Sequence, residues 1–523
     1  MDCLQIPDWA IEKRASREHS FFSLVNSENN ARAKVLNELL EQVGCSHLKN
    51  PDLFFAQTAD LLGCSFGTID TLLTALHLSN SFDAYQAAAE DLKKWATLSL
   101  FIKTRAQHSL KMHSRQLGVS QSINTLMRLI PLLPHTPTSE QVMAAISCLR
   151  SYSRQPIQRH MLFGDVGYGK TTSIGLLTAT AVLNGWTAVI MCPLTPLANQ
   201  IYSTLISWFG SLDISIKLVT SNTEEYKVEK GCLYVGTTAL LHCDIQNVDL
   251  LCVDEEQRFG VSQIKQLLDK DCHYLASSAT PIPRTVSLIS LGVFKELALT
   301  KPFIEKCIIS EVISPDRFHK VIEAVRQCLQ DGGQALFICC QKQSDSRSQS
   351  QHLYTCDQAF TKLNEFFPND VVMVNSDLSI EQNESNLSLV RRGEKQILVA
   401  TTSVEVGIDL PAAKYIGIYN PERFGLAQLH QLRGRIGRQG DYSKCHLIIS
   451  ERVNAEQIER LNYFADVNDG RLIAEFDADR RGWGSIFDTK QSGKYQHTFL
   501  KDFSPSIKDM TKIRNLFINS KVY

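Results

Sequence analysis

The sequence predicts an α/β protein with two tandem parallel-sheet domains, a helical N-terminal region and a C-terminal helical hairpin and loop. Three observations carry that prediction. From about residue 131, short apolar runs alternate with helix-forming stretches, which is how a parallel sheet covered on both faces reads in sequence. The alternation occurs twice, in two series of similar size joined near 300–315. The first series opens with a Gly-rich turn after an apolar strand, Gly164-Asp165-Val166-Gly167-Tyr168-Gly169-Lys170-Thr171, at the strand end where open sheets bind ligands.

The elements follow in order. Residues 1–130 are expected to be helical, with periodic apolar positions, few β-branched runs and an amphipathic stretch from Ala84 to Lys111. Near 57–76, Thr58 to Leu73 has helix-turn-helix spacing: a turn at Gly63, then apolar Ile69 and Leu72. Its second helix carries no Lys or Arg, so a plain helical hairpin is the expected reading. Lys103, Arg105, His108, Lys111, His113 and Arg115 are better placed to contact a nucleic-acid backbone. Strands of the first domain, residues 131–302, are expected at 160–163, 187–192, 233–236, 250–254 and 274–278. Those of the second, residues 303–452, are expected at 335–339, 371–374, 397–400, 414–418 and 445–449. The polar run 341–351 reads as a loop. Residues 453–523 turn helical, then Gly-rich, and end in a mildly basic tail (Lys501, Lys508, Lys512, Arg514, Lys521).

A length of 523 residues allows three or four domains, each with its own core. With 54 basic and 55 acidic residues the net charge is −1, so any nucleic-acid partner must be held by local clusters rather than a global field. The 15 cysteines are an odd count without a C-x2-C pair, and several, such as Cys192, Cys252 and Cys339, lie in apolar runs. That pattern predicts a reducing cytoplasmic setting with neither zinc site nor disulfide framework. No basic and apolar leader and no run of eighteen apolar residues occurs, so a soluble protein without a membrane partner is expected.

The Gly-rich turn is a phosphate-binding loop. Backbone N–H groups of Gly164, Asp165, Val166, Gly167, Tyr168 and Gly169 face the phosphates, Lys170 reaches the β/γ oxygens and Thr171 offers a hydroxyl to Mg²⁺. The apolar run 250–253 delivers Asp254-Glu255-Glu256-Gln257 to the same sheet edge; Asp254 suits Mg²⁺ coordination and Glu255 suits polarising an attacking water. Ser278-Ala279-Thr280 ends the next strand, where Ser278 and Thr280 can sense the phosphate state. Gln141 has the amide needed to read an adenine edge. The cofactors expected are therefore ATP and Mg²⁺.

In the second domain, the segment from Ala400 to Asp409 leaves a strand with Thr401 and Thr402 placed for a phosphodiester, and with Gly407 and Asp409 on the nucleotide side. Further on, Gln428-Leu429-His430-Gln431-Leu432-Arg433-Gly434-Arg435-Ile436-Gly437-Arg438 sets two arginines three apart beside a glutamine. Gln431, Arg435 and Arg438 would face the nucleotide held by the first domain, the arginines acting as fingers on its γ-phosphate.

This combination resembles helicase superfamily two, and within it the RecG-type branched-DNA helicases, with the transcription-repair coupling translocases as close relatives. The resemblance spans about Ser139 to Gly493. Its most particular segments are Val235-Gly236-Thr237, Arg258-Phe259-Gly260 after the acidic turn, Pro281 to Thr285 after Ala279-Thr280, and Glu422 to Arg438. It implies two RecA-like domains and a contact of Thr237 with nucleic acid. Arg460-Leu461, Asn468-Asp469-Gly470, Ile473-Ala474-Glu475, Arg481-Gly482 and Thr489-Lys490-Gln491-Ser492-Gly493 follow the order of the family's translocation element. By resemblance, that element is a helical hairpin and loop coupling ATPase closure to movement on duplex DNA through Arg481, Lys490 and Gln491. The chain departs from the family at Leu194, Asn375-Ser376, Trp483 and Lys490; Lys490 replaces an arginine and loses its bidentate fork. The OB-like wedge of RecG enzymes needs five short strands, a pattern that residues 1–130 do not contain.

The expected function is ATP-dependent translocation on forked or branched duplex DNA in replication, recombination or repair. The protein is expected to be monomeric, with the helical N-terminal region offered to a protein partner. Two alternatives are an RNA-dependent ATPase of the same superfamily and a nucleotide-gated adaptor that binds branched DNA without translocating.

Overall fold

The computed structural model describes residues 58–68, 81–107, 116–154, 156–165, 167–221, 229–242, 248–260, 271–279, 283–301, 306–339, 354–375, 377–401, 412–437, 439–481 and 506–519, with a few isolated positions between them. The chain divides into two compact units. One collects residues 1–111, 282–295 and 475–523; the other collects 112–281 and 296–474.

The larger unit holds both sheets. In the first, β1 (Arg159–Phe163), β2 (Ala188–Met191), β3 (Ser215–Val219), β4 (Cys232–Gly236), β5 (Leu250–Val253), β6 (His273–Ser278) and β7 (Lys295–Ala298) lie in the order β3-β4-β2-β5-β6-β1-β7. Strands β1 to β6 pair in parallel, with Phe163 opposite Ser278 at the end that carries the chemistry. The second sheet is parallel throughout. Its strands are β8 (Cys307–Ile313), β9 (Gln334–Cys339), β10 (Val371–Val374), β11 (Ile397–Thr401), β12 (Ala413–Tyr419) and β13 (Tyr442–Ile448), in the order β10-β11-β9-β12-β13-β8. All ten expected strands form, and β3, β7 and β8 are additional.

Helices α1 (Val119–Leu129) and α2 (Ser139–Tyr152) pack on α3 (Lys170–Leu183), which lies on the first sheet, as does the helix Thr195–Phe209. Thr138 starts α2 with a capping box: its hydroxyl accepts from the Gln141 N–H while the Gln141 amide accepts from the Thr138 N–H. Helix α3 lies deep enough that Ile174, Leu176, Leu177, Ala179, Ala181 and Val182 are all buried. Each large aliphatic side chain so placed contributes about 1.5–3 kcal/mol. Gly175 permits this depth, because a Cβ there would lie 3.0 Å from Leu205 Cδ2 and 3.2 Å from the Trp208 ring. The core under the second sheet centres on Phe337, Tyr415 and Tyr419.

The chain continues past β13 into a hairpin, α4 (Ala455–Asp466) and α5 (Gly470–Arg481), as the family resemblance implies. In the smaller unit, the long helix Phe82–Gln107, the short helix Pro283–Ser290 and the C-terminal helix Ile507–Asn519 pack together. Lys93 pairs with Asp509 at 2.7 Å, and the Arg514 guanidinium donates to the Ile289 carbonyl at 3.0 Å, so residues 507–519 of the basic tail form a docked helix. Asp91 accepts from the N–H groups of Ser65 and Phe66, and Lys94 donates to the Gly63 carbonyl, which pins the turn of the expected helix-turn-helix onto the long helix. Ile69 and Leu73 of that segment lie outside the described residues, as do residues 108–115 and the side chains of Lys103 and Arg105. Among the described residues no helix is long and apolar enough to cross a membrane.

Candidate active site

The phosphate loop sits between β1 and α3. Its first residue is tied to the neighbouring strand, the Gly164 N–H donating to the Ser278 carbonyl at 3.3 Å. Gly167 and Gly169 have φ of 88° and 75°, the left-handed region where glycine costs least. Gly169 has a second reason: a Cβ there would lie 2.1 Å from Gln141 Nε2. The Gln141 amide donates to the Tyr168 carbonyl at 2.9 Å and is buried, so in this arrangement it braces the loop. Lys170 is buried at the start of α3, its ammonium donating to the carbonyls of Gly164 (2.7 Å) and Asp165 (3.4 Å). The positive dipole end of α3, with this ammonium, forms an anion site. Thr171 follows, half-buried.

Asp254 and Glu255 leave β5 beside the loop. Asp254 is buried and accepts a short hydrogen bond from the Ser277 hydroxyl. Burial and the neighbouring Glu255 push its carboxyl above the usual range, and Lys170 and Ser277 oppose that rise. A buried carboxylate with this bias is improved by a cation, so the donor set, Asp254 with the Thr171 hydroxyl, fits a nucleotide-bound Mg²⁺. Glu255 is half-buried and holds φ at +53°, an uncommon backbone for a side chain with a Cβ, which turns its carboxylate towards the second sheet.

That sheet brings α6 (Leu426–Arg433) and the turn after it to the loop. The Gln431 amide nitrogen stands 3.4 Å from Glu255 Oε2, and its carbonyl oxygen accepts from Arg258 Nη2 at 3.0 Å. His430 is buried, with Nε2 3.1 Å from Asp165 Oδ1. Its Nδ1 meets Arg433 Nη2 at 3.0 Å; a guanidinium can only donate, so Nδ1 accepts and Nε2 carries the proton, close to Asp165 without a hydrogen-bonding geometry. Arg435 follows in the turn, half-buried.

Arg433 carries the network into the hairpin. It is buried, 4.3 Å from the Phe464 ring centroid, and donates to the carbonyls of Phe464 and Val467 at 2.9 Å each, where α4 ends. Burial lowers its pKa from the ordinary arginine value. Arg460 ties the same helix to the carbonyls of Glu422 and Phe424. The hairpin turn reaches Gly470, where a Cβ would lie 2.6 Å from the Ala279 carbonyl and 2.9 Å from His430 Nε2. Only glycine fits between the end of β6 and α6.

Of the remaining expected residues, Thr237 is buried at the end of β4, Ser278 is buried at the end of β6, and Thr401 is buried at the end of β11. Arg481 ends α5. Val166, Thr280, Thr402, Gly407, Asp409, Arg438, Lys490 and Gln491 lie outside the described residues. Sequence reasoning missed Arg258, His430 and Arg433 as functional residues, although each stands inside a segment it had singled out. Lys306 carried no sequence signal at all.

Residues 139–289 match the DEAD/DEAH box helicase family and residues 317–440 match the helicase conserved C-terminal domain. Over 478 residues the chain is 31% identical to the ATP-dependent DNA helicase RecG of Thermotoga maritima, covering 88% of this chain and 60% of that protein. RecG of Synechocystis sp. is 34% identical over 382 residues, covering 69% and 45%. A solved structure of RecG bound to a three-way DNA junction aligns with a TM-score of 0.62 at 26% identity, covering 92% of this chain and 64% of that one. The chain thus spans about half to two-thirds of the length of these relatives. With both helicase domains in tandem and RecG proteins as relatives over most of its residues, the chain belongs to helicase superfamily two, in its RecG-type branch.

Proposed function

We propose that this protein is a cytoplasmic, monomeric ATP-dependent translocase that moves on duplex DNA at forks or other branches and remodels them. The observation that carries the reading is the Asp165–His430–Arg433 line, which runs from the phosphate loop through α6 to the carbonyls at the end of α4. A motor needs such a connection between its hydrolytic site and the part that moves. The relatives support the substrate class: one is named an ATP-dependent DNA helicase and another was solved on a three-way DNA junction.

The residues divide the work as follows. Gly164 to Thr171 hold the triphosphate, and Gln141 braces that loop. Mg²⁺, held by Asp254 and Thr171, would neutralise phosphate charge. Glu255 orients and deprotonates the attacking water. Gln431, Arg435 and Arg438 close from the second sheet, where fixed positive charge stabilises the transition state. Gly407 and Asp409 stand on the nucleotide side. Thr237, Ser278, Thr280, Thr401 and Thr402 line the path to the DNA backbone, and Arg481, Lys490 and Gln491 carry the closing motion to the duplex. The four regions of the reading are 1–130, 131–302, 303–452 and 453–523, with residues 1–130 available to a protein partner.

The test is ATPase activity against linear duplex, model forks, Holliday junctions, single strands and RNA. Stimulation by forks and junctions above single strands supports the reading. Stimulation by RNA alone would replace it with an RNA-dependent ATPase.

A further inference from the structure

Lys306 is the residue just before β8, in the segment that leads from the first sheet into the second. Its side chain reaches back to the phosphate loop: a Cβ built on Gly167 would lie 3.9 Å from both Cε and Nζ of Lys306. The same ammonium donates to the Gly434 carbonyl at 3.1 Å. Gly434 caps the C-terminus of α6 and is followed directly by Arg435. One cation thus stands between the tip of the phosphate loop and the turn that presents Arg435.

We infer that Lys306 is a second phosphate-contacting lysine, supplied by the second domain, and that it tethers the Arg435 turn to the bound triphosphate. The inference rests on the reading of Gly164–Thr171 as a nucleotide site. Three physical points support it. A hydrogen bond to the Gly434 carbonyl leaves the ammonium its positive charge, which acts on a phosphate oxygen at the loop tip. The C-terminal end of a helix carries about half a negative charge, which holds the lysine beside the loop, and a polyphosphate with several whole charges attracts the same ammonium from the other side. Gly167 lies at the exposed tip of the loop, where its N–H and the Lys306 ammonium approach one phosphate group from different domains. Lys170 lies beneath the same loop, bonded to the carbonyls of Gly164 and Asp165. The two lysines therefore flank the phosphates, one from each domain, and only Lys306 moves with the second.

The experiment measures equilibrium binding of a fluorescent, non-hydrolysable ATP analogue, and its competition by inorganic tripolyphosphate, to the full chain and to Lys306→Ala, Lys306→Arg and Lys170→Ala. Thermal unfolding of each variant is recorded in parallel. Lys306→Ala is expected to weaken both ligands by roughly tenfold or more, the scale of losing a charged hydrogen bond, and Lys306→Arg is expected to recover most of that loss. Should Lys306→Ala unfold early, Lys306→Arg decides: near-parent affinity for tripolyphosphate supports the contact. Unchanged affinity in a folded Lys306→Ala, with Lys170→Ala weakened, overturns the inference and leaves the nucleotide site standing. If Lys170→Ala also binds both ligands as the parent does, the nucleotide site and this inference fall together.

Discussion

Arg258 Nη2 donates to Gln431 Oε1 at 3.0 Å, joining the turn after Asp254 and Glu255 to the helix that the second sheet contributes. The bond fixes the orientation of an amide whose nitrogen then faces Glu255. An amide can flip and leave its donor pointing away; a guanidinium, which only donates, permits one orientation. Arg258 thereby sets which way Gln431 presents itself to the Glu255 carboxylate.

Arg258→Ala is therefore expected to lower DNA-stimulated kcat about tenfold, the scale of one charged hydrogen bond, with little change in the KM for ATP. Arg258→Lys recovers only part, because it cannot hold the amide from a planar fork. A rise in KM at constant kcat would instead make Arg258 a nucleotide ligand.

Lys170→Ala is expected to abolish ATP hydrolysis by removing the main side-chain charge from the β/γ oxygens. Glu255→Gln should bind ATP and fail to turn it over. Steady-state phosphate release checks both, and near-parent turnover in either variant would sink the assignment of that residue.

Gly470→Ala tests the hairpin joint. The added methyl would meet the Ala279 carbonyl at 2.6 Å, so α5 must shift away from β6 and His430. Overpacking of this kind costs about 1–3 kcal/mol. ATP hydrolysis should persist, and fork remodelling per ATP should fall severalfold. Equal loss of both activities would make Gly470 a folding residue alone.

His446 gives a pH signature. Burial pulls its pKa from 6.5 to about 4; Glu311 opposes that shift, and Lys444 and Lys320 add to it. Its Nδ1 lies 3.1 Å from the Tyr415 hydroxyl. The folded imidazole resists protonation more than the unfolded one, so its contribution is complete above pH 6.5 and is lost as pH falls from 6.5 towards 4. The loss amounts to about 3 kcal/mol. Denaturant titrations of the parent and His446→Gln at pH 7 and 4.5 check this: the variant should lose less stability between the two. An identical loss in both would place the acid sensitivity elsewhere.

Much of the fold was legible because parallel strands buried on both faces read as continuous apolar runs, as in 188–191 and 397–401. The three strands that sequence reading missed are all at sheet edges. Strands β3, β7 and β8 carry Lys217, Lys295 with Glu296, and Ser310 with Glu311, because an edge is half solvated and tolerates charge. The residues proposed for hydrolysis were legible as candidates because Lys170, Asp254 and Glu255 cluster on two short loops. Arg258, His430 and Lys306 were not, since their partners lie 173, 265 and 128 residues away: approach of the two sheets joins Arg258 to Gln431 and His430 to Asp165, and folding of the second domain joins Lys306 to Gly434.

The most direct test of the central claim is displacement of a third strand from a triplex by the protein and ATP, with Gln491→Ala beside the parent. Displacement reports movement along a duplex without requiring the duplex to be opened, which separates translocation from unwinding. Gln491 stands in the loop proposed for coupling, apart from the nucleotide residues in sequence. The account predicts that the parent displaces the strand only with hydrolysable ATP, and that Gln491→Ala retains substantial DNA-dependent ATPase activity while losing displacement. A parent that hydrolyses ATP on forks yet never displaces the third strand would contradict the claim, and would leave a nucleotide-gated DNA-binding adaptor in its place.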